Sequence, residues 1–131
     1  MNFFDGRVLA DKVLVEAKEI IGAKKLSLGV VALGEDPVSA NFIAQKEKRG
    51  VEIGVAVRTY RYPIDISTRK LREQIADLVK KTKHNGFIIQ LPLPEGVNTQ
   101  YVLNAIPETH DVDCLNQKSI GAFVVGRSKI M

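Results

Sequence analysis

The sequence predicts an α/β fold, a three-layer α/β/α sandwich on a mostly parallel sheet of about four strands. Short apolar runs alternate along the chain with segments whose apolar residues recur at helical spacing. Turn residues, chiefly Gly, Pro and Asn, separate these segments. Because each parallel strand is reached by a right-handed crossover that returns over the sheet, this alternation places helices on both faces.

The first part of the chain predicts a helix, a strand and a second helix. Residues 7–21 carry apolar side chains at helical spacing, and Gly22 supplies a stop. The run 26–33 is short and apolar, as in a strand that is covered on both faces. Asp36 is placed to cap the next helix, which starts with a proline and is predicted over 37–50.

The second part predicts two more strands, two helices and a short fourth strand. The elements are a strand over 52–62, a helix capped by Ser67 or Thr68, a strand over 87–90, a short helix from the Asn98 cap to Ala105, and a strand over 111–114. Asp77 and Lys81 lie four residues apart in the third helix and are expected to pair. Parallel sheets bind ligands beyond the carboxyl ends of their strands, so the segments after Leu33, Tyr62 and Ile89 are the candidate site.

The composition is that of one compact globular domain. The chain has 131 residues, 45% of them hydrophobic and 26% charged, and a chain of this size needs no disulfide or metal to fold. Its single cysteine, Cys114, indicates a reducing, cytoplasmic compartment. No signal peptide or membrane span is recognisable, and the two histidines and the acidic residues lack metal-ligand spacing. We therefore expect a cytoplasmic protein without membrane contact or a metal site.

The charge pattern favours a small-molecule partner over nucleic acid. The chain has 19 Lys and Arg against 15 Asp and Glu, a net charge of +4. These residues are interleaved along the chain and form no basic stripe with stacking aromatics. A mildly positive field favours an anionic small molecule.

Lys46 is the leading candidate for chemistry. On a helical wheel it shares the face of Phe42 and Ile43, on a helix that begins at the carboxyl end of the first strand. One interpretation is that Lys46 snorkels, with its methylenes on the core and its ammonium in water. The other is that partial burial lowers its pKa toward neutrality, so that it exchanges protons with a substrate. Phe42 would then offer a flat heterocycle an aromatic face, or it is simply a core residue.

Gln90 and Asp113 are weaker candidates when each is taken alone. Gln90 ends an apolar strand, so its amide is expected at the carboxyl edge of the sheet or simply in solvent. Asp113 either contributes a carboxylate to the site or stabilises a turn. Cys114 has no nearby base that would make it a nucleophile. The tail 126–130 has the composition of a phosphate-binding turn, but no clear strand precedes it and no helix follows.

Three motifs stand in order along the chain. They are Gly34-Glu35-Asp36-Pro37-Val38-Ser39 with Phe42, Lys46 and Lys48; Gly86-Phe87-Ile88-Ile89-Gln90-Leu91-Pro92-Leu93-Pro94; and Ile106-Pro107 followed by Asp111-Val112-Asp113. Together they resemble the bifunctional methylenetetrahydrofolate dehydrogenase/methenyltetrahydrofolate cyclohydrolase family, from Asp5 to about Gly121. The resemblance implies a folate-binding catalytic domain over 1–121, similar to the N-terminal domain of amino-acid dehydrogenases. It also implies a tail over 122–131 near the boundary to a nucleotide-binding domain that lies beyond this chain.

The resemblance also implies roles for particular residues. Lys46 would be the catalytic lysine, Gln90 would position it and the folate, and Asp113 would bind the pterin. The implied substrate-binding residues are Phe42, Leu91, Pro92 and Leu93. The implied cofactor of the full-length enzyme is NADP, whose binding residues are not identified in this chain, and the full-length enzyme is expected to be a homodimer.

The implied function belongs to tetrahydrofolate one-carbon metabolism and serves purine biosynthesis. The enzyme would interconvert 5,10-methylene-, 5,10-methenyl- and 10-formyltetrahydrofolate by NAD(P)-dependent hydride transfer and hydrolysis, and the hydride step is not expected from this chain alone. Three residues depart from the family pattern: Phe42 replaces a usual Tyr, Cys114 a usual Gly and His110 a common Lys. Two alternatives stay open: a non-catalytic folate-binding or regulatory module, and the substrate domain of a dehydrogenase for amino acids or shikimate.

Overall fold

The computed structural model describes residues 5–127 of the chain. Its helices and strands are α1 (Gly6–Ile21), β1 (Leu26–Leu33), α2 (Pro37–Ile53), β2 (Val55–Tyr62), α3 (Thr68–Lys81), β3 (Gly86–Ile89), α4 (Thr99–Leu103) and α5 (Gln117–Val124). Side chains that bond to the first free amides fix where most helices begin. Asp36 accepts from the Ser39 amide at 2.7 Å, Ser67 caps α3, and Asn98 caps α4. These three caps confirm the predicted starts of α2, α3 and α4.

The sheet is parallel and has the strand order β2-β1-β3. Strand β1 pairs along its whole length with β2, from Leu26 opposite Val55 to Leu33 opposite Tyr62. Its central residues pair with β3, from Leu28 opposite Gly86 to Val31 opposite Ile89. Because all three strands point the same way, their carboxyl ends share one edge, where Gln90 follows β3.

Two apolar clusters lie on opposite faces of the sheet. The larger one packs α3 and α4 onto the sheet and consists of Val31, Leu71, Ile75, Phe87, Ile89, Val102, Leu103 and Ile106. The smaller one lies under α2 and consists of Val30, Ala32 and Ile43. Neighbouring residues of β1 enter opposite clusters, since successive side chains of a strand alternate between faces. The predicted α/β/α layering is therefore confirmed.

The predicted boundary between α2 and β2 was wrong by several residues. α2 passes through Gly50 and ends at Ile53, where it is capped by Gly54 with a φ of 81°. Gly50 is buried, and a Cβ there would lie 2.5 Å from Val57 Cγ2. It is thus a close-packing residue within the helix, and β2 starts at Val55 rather than at residue 52.

The predicted fourth strand was also wrong. Within residues 5–127 the segment 111–114 makes a single parallel bridge, Phe87 with Asp111, and then turns away. The turn forms because the Asp111 carboxylate accepts the amides of Leu115 and Asn116. The sequence interpretation missed α5, which follows this turn and crosses the predicted boundary between residues 121 and 122. Residues 128–130 of the phosphate-turn-like tail lie outside the described range.

Helix α1 is present as predicted, but most of its apolar side chains are not buried. Ile21 is buried, whereas Val8, Val13 and Ile20 are more than half exposed. α1 packs mainly against α2, so only one side of α1 is covered. The α3 ion pair is confirmed, with Lys81 Nζ 3.4 Å from Asp77 Oδ2. Among residues 5–127, no helix combines the length and apolar character that a bilayer crossing requires.

His84, which lies before β3, contacts the start of β1 and a residue of β2, and it makes the stability of the fold dependent on pH. Its Nδ1 lies 3.0 Å from Ser27 Oγ and its Nε2 lies 2.8 Å from the Tyr60 hydroxyl. Partial burial, and secondarily the positive charge of Arg58, hold the pKa of His84 below its usual value. The unfolded chain therefore takes up this proton first, and the protein should lose stability as pH falls below about 6.5.

We expect His84→Gln to flatten this dependence. Urea unfolding at a series of pH values from 7 to 5 measures the slope. Wild-type and variant slopes that coincide over this range would contradict the assignment to His84.

Candidate active site

Lys46 lies on the face of α2 that is turned toward the end of β3. Its side chain is half-buried, and Nζ donates a hydrogen bond to Gln90 Oε1 at 3.1 Å. An apolar cavity of about 390 Å³ between α2 and the sheet is lined in part by Lys46, Gly50 and Val112. The methylenes of Lys46 thus border apolar surface while its nitrogen meets a polar partner.

Gln90 is held in one orientation by its own loop. Its backbone amide donates to Val31 O at 2.8 Å, which places the residue directly after β3. The side-chain Nε2 donates to Leu91 O, also at 2.8 Å. Because the amide nitrogen is engaged there, the oxygen is presented to Lys46. The predicted position at the carboxyl edge of the sheet is where this side chain lies.

Asp113 interacts electrostatically with Lys46. It lies in the turn after the Phe87–Asp111 bridge and keeps an exposed surface. Surrounding protein shields its carboxyl from water and raises its pKa, the positive charge of Lys46 acts in the opposite direction, and the negative charge of Asp111 raises it further. The structure therefore brings Lys46 and Gln90 into contact from a helix and a strand end, and places Asp113 on a turn within reach of the charge of Lys46.

Phe42 leaves an open aromatic face beside Lys46. It lies one helical turn before Lys46, and its side chain is 55% exposed. Lys46 Nζ lies 5.9 Å from the ring centroid, at the outer limit of a cation–π contact. The ring is thus not a core residue, and a flat ligand can stack on it.

The loop after Gln90 contributes one exposed residue to this region. The side chains of Leu91 and Leu93 pack against the apolar cluster under α3 and α4, whereas Pro92 is exposed and follows a cis peptide bond. The leucines therefore support the loop from the core side. Of the three predicted substrate-binding residues here, Pro92 has the open surface.

The turn between β1 and α2 is not open to a phosphate group. The turn from β1 to α2 is the position of a phosphate-binding turn, but the Asp36 carboxylate already accepts the Ser39 amide there and would repel a pyrophosphate. No group of three His, Cys, Asp or Glu side chains within residues 5–127 is arranged to hold a metal ion.

A second, polar cavity lies apart from Lys46. It has a volume of about 560 Å³, and its lining includes Arg72, Asn104, Glu108 and Lys118. None of the residues that line it is Phe42, Lys46, Gln90 or Asp113. It supplies an independent location against which ligand binding at Lys46 can be compared.

Cys114 occupies a backbone conformation that suits glycine. Its φ is 56°, and within residues 5–127 it is the sole non-glycine residue with a positive φ. A side chain in this region costs about 1–2 kcal/mol, part of which glycine gives back through its unfolded-state entropy.

We expect Cys114→Gly to stabilise the chain by roughly 0.5–1 kcal/mol, measured by urea unfolding. Cys114→Ala is the matched control, because it removes the thiol and keeps the Cβ. Equal stability of the Gly and Ala variants would contradict the strain at this residue.

Comparison with known proteins identifies what this arrangement is similar to. A family model described as the catalytic domain of tetrahydrofolate dehydrogenase/cyclohydrolase matches residues 4–113. The bifunctional protein FolD 1 of Rubrobacter xylanophilus is 33% identical over 135 residues, covering 99% of this chain and 48% of that protein. The chain spans about half the length of the curated relatives it matches.

Solved structures show the same fold. A 5,10-methylenetetrahydrofolate dehydrogenase from the silkworm Bombyx mori superimposes with a TM-score of 0.89 at 26% identity, covering 97% of this chain and 46% of that one. A Trypanosoma brucei methylenetetrahydrofolate dehydrogenase-cyclohydrolase, solved with NADP cofactor and an inhibitor, superimposes with a TM-score of 0.81 at 22% identity and covers 92% and 43% of the two chains.

Proposed function

Because the chain belongs to the tetrahydrofolate dehydrogenase/cyclohydrolase family and matches its catalytic domain, we propose that residues 1–121 are the folate-binding catalytic domain of such an enzyme. The enzyme interconverts 5,10-methylene-, 5,10-methenyl- and 10-formyltetrahydrofolate by NADP-dependent hydride transfer and by hydrolysis. The observation that carries the proposal is the 3.1 Å contact of Lys46 with Gln90, beside the carboxyl of Asp113 and the open ring of Phe42.

Lys46 has the proton-transfer role in hydrolysis. Water adds to the cationic methenyl carbon, and the oxygen must then lose a proton. Lys46 is the group that accepts or relays that proton. The carbon–N5 bond then breaks, N5 takes a proton from the hydroxyl group, and 10-formyltetrahydrofolate is left with a net release of one proton. Gln90 holds the Lys46 nitrogen through its side-chain oxygen, so the amine stays near the reacting carbon.

The other side chains bind and orient the folate. Asp113 accepts hydrogen bonds from the amino group and ring nitrogen of the pterin, and the Phe42 ring stacks on the flat part of the ligand. Pro92 lines the site next to Gln90, and Leu91 and Leu93 hold its loop against the core. NADP would supply the hydride chemistry when bound, and the residues of this chain are assigned here to the folate.

We also propose the compartment, the oligomeric state and the metabolic role of the protein. We infer a cytoplasmic protein, supported by the lone free Cys114, that is a homodimer when full length. Its formyl product would serve purine biosynthesis. Gel filtration of the full-length protein tests the dimer, and a monomer at micromolar concentration would contradict it.

Ligand titration separates this function from its architectural alternatives. The chain is titrated by calorimetry with 5-formyltetrahydrofolate, a stable tetrahydrofolate derivative, and in parallel with shikimate and with amino acids. We expect binding of the folate alone, because the stacking ring and the carboxylate fit a pterin. Binding of shikimate or an amino acid without binding of the folate would contradict the proposal.

Phe42→Tyr distinguishes a working enzyme from a non-catalytic folate-binding module. If the site works with phenylalanine, restoring a hydroxyl should change the rate of methenyltetrahydrofolate hydrolysis by less than about threefold, since the 5.9 Å separation from Lys46 leaves the ring with a stacking role. The rate is measured with an enzyme that carries this domain and a nucleotide-binding domain. A gain of about 100-fold or more would instead show that Phe42 has cost the domain its catalytic activity, as expected of a non-catalytic folate-binding module.

A further inference from the structure

The turn that carries Asp113 is built on the outer edge of β3. The Phe87 amide donates to His110 O at 2.7 Å, and Phe87 and Asp111 form the single parallel bridge of this segment. After this bridge the chain no longer follows the sheet. The position of Asp113 is therefore set by what holds the turn and not by strand pairing.

Asp111 holds the turn from inside. The residue is only 5% exposed, and its two carboxylate oxygens accept the Leu115 amide at 3.3 Å and the Asn116 amide at 2.8 Å. Asn116 in turn donates from its side chain to Ile106 O and caps α5 at the Lys118 amide. One buried carboxylate thus closes the loop around Asp113 and joins it to α4 and α5.

Gly86 gives this turn the space that it occupies. The residue is buried at the start of β3, and a Cβ there would collide with Val112 Cγ1. Any side chain at residue 86 must therefore displace the Val112 side chain, and Val112 immediately precedes Asp113. The space at Gly86 and the hydrogen bonds that Asp111 accepts from residues 115 and 116 therefore both constrain the turn over residues 112–114.

We propose that Asp111 is a positioning residue, whose buried carboxylate, together with the space left at Gly86, fixes the turn and with it the position of the Asp113 carboxyl relative to Lys46. The proposal concerns the geometry of Asp113, and it rests on the proposed function only for what Asp113 binds. Asp111 itself touches no substrate, since its carboxylate is buried and both oxygens already accept hydrogen bonds.

Titration of Asp113 tests the proposal without any ligand. Carboxyl NMR of the labelled chain gives the midpoint of Asp113 with Lys46 present and in the Lys46→Met variant. Lys46 lowers the pKa of Asp113, so Lys46→Met should raise this midpoint in the wild-type background. The Lys46→Met substitution should raise the midpoint of Asp113 by at most about half as much when the turn is displaced. The variants that displace the turn are Asp111→Asn, Asp111→Glu and Gly86→Ala.

Matched variants separate positioning from charge and from general instability. Asp111→Glu keeps the negative charge and moves it by one methylene, so a purely electrostatic role predicts an unchanged Lys46 effect in that variant. Glu108→Gln removes an exposed charge from the same loop and should retain the full effect. A full shift in both Asp111 variants, or no shift in the wild-type background, would overturn the proposal. If Asp111→Asn does not fold, the effect of Lys46→Met on the Asp113 midpoint is measured in Asp111→Glu and Gly86→Ala, and a full shift in both would overturn the proposal.

Folate binding gives an independent check. Asp111→Asn should weaken the affinity for 5-formyltetrahydrofolate by about 10-fold, but by less than about twofold when Asp113→Asn is already present, because Asp111 acts through Asp113. Equal losses in both backgrounds would show a merely structural role and overturn the proposal. If the wild-type chain does not bind this probe, the proposed function fails, whereas the ligand-free titration still decides the role of Asp111.

Discussion

Replacing Lys46 with methionine is expected to reduce hydrolysis of methenyltetrahydrofolate by about 1,000-fold or more. Methionine keeps the length and apolar stem of the side chain, so the packing against the apolar cavity is retained while the proton acceptor is lost. Positioned general bases contribute about 100- to 10,000-fold to such steps. The rate is measured in an enzyme that carries this domain together with a nucleotide-binding domain.

Lys48→Met is the matched control for this experiment. Lys48 lies two residues further along the same helix and is exposed, so its replacement removes the same charge from α2 without reaching Gln90. We expect normal hydrolysis in this variant. Thermal unfolding should be similar in both variants, which separates loss of chemistry from loss of fold. A Lys46→Met rate within about threefold of the wild type would exclude Lys46 as the proton acceptor.

Replacing Asp113 with asparagine is expected to weaken folate binding and to stabilise the domain. Hydrogen bonds to a charged group contribute about 1.5–3 kcal/mol, so the affinity for 5-formyltetrahydrofolate should fall by roughly 10- to 100-fold. The pKa of Asp113 is raised by desolvation, which means that folding disfavours its ionised form. Stability should therefore fall as pH rises from about 3.8 through the folded pKa, and the neutral asparagine avoids this loss at pH 7.

This prediction is specific because the Asp113→Asn variant should bind folate more weakly and yet unfold at a higher temperature. Calorimetry gives the affinity, and thermal unfolding at pH 7 gives the stability. Asp65→Asn, at an exposed aspartate in the loop before α3, is the control and should leave the affinity unchanged. A variant at Asp113 that bound folate normally would remove this residue from the site, and one that melted at a lower temperature would contradict the effect of desolvation.

Local signals in the sequence account for the parts of the fold that were predicted correctly. Asp36, Ser67 and Asn98 each accept a hydrogen bond from the amide three residues later, so the starts of three helices are encoded within a few residues. The meeting of Lys46 with Gln90 follows from a rule of topology, since both follow strands that end at one edge of a parallel sheet.

The errors arose where contacts distant in sequence decide the structure. Gly50 resembles a helix stop, but it packs against Val57 on the next strand, and only the tertiary structure shows that contact. Residues 111–114 have the composition of a strand, yet the Asp111 carboxylate bonds to amides four and five residues later and bends the chain. The role of Asp111 was missed for the same reason, because burial of a carboxylate cannot be seen in one sequence.

Mapping of bound 5-formyltetrahydrofolate on the 131-residue chain, by NMR or crystallography, tests most directly whether Phe42, Lys46, Gln90 and Asp113 form one folate site. We predict that the ligand lies at the carboxyl end of β3, with its ring against Phe42, its pterin at Asp113 and its reacting atoms near Lys46. A ligand found in the polar cavity beside Arg72 and Lys118, or no bound ligand at millimolar concentration, would contradict this site.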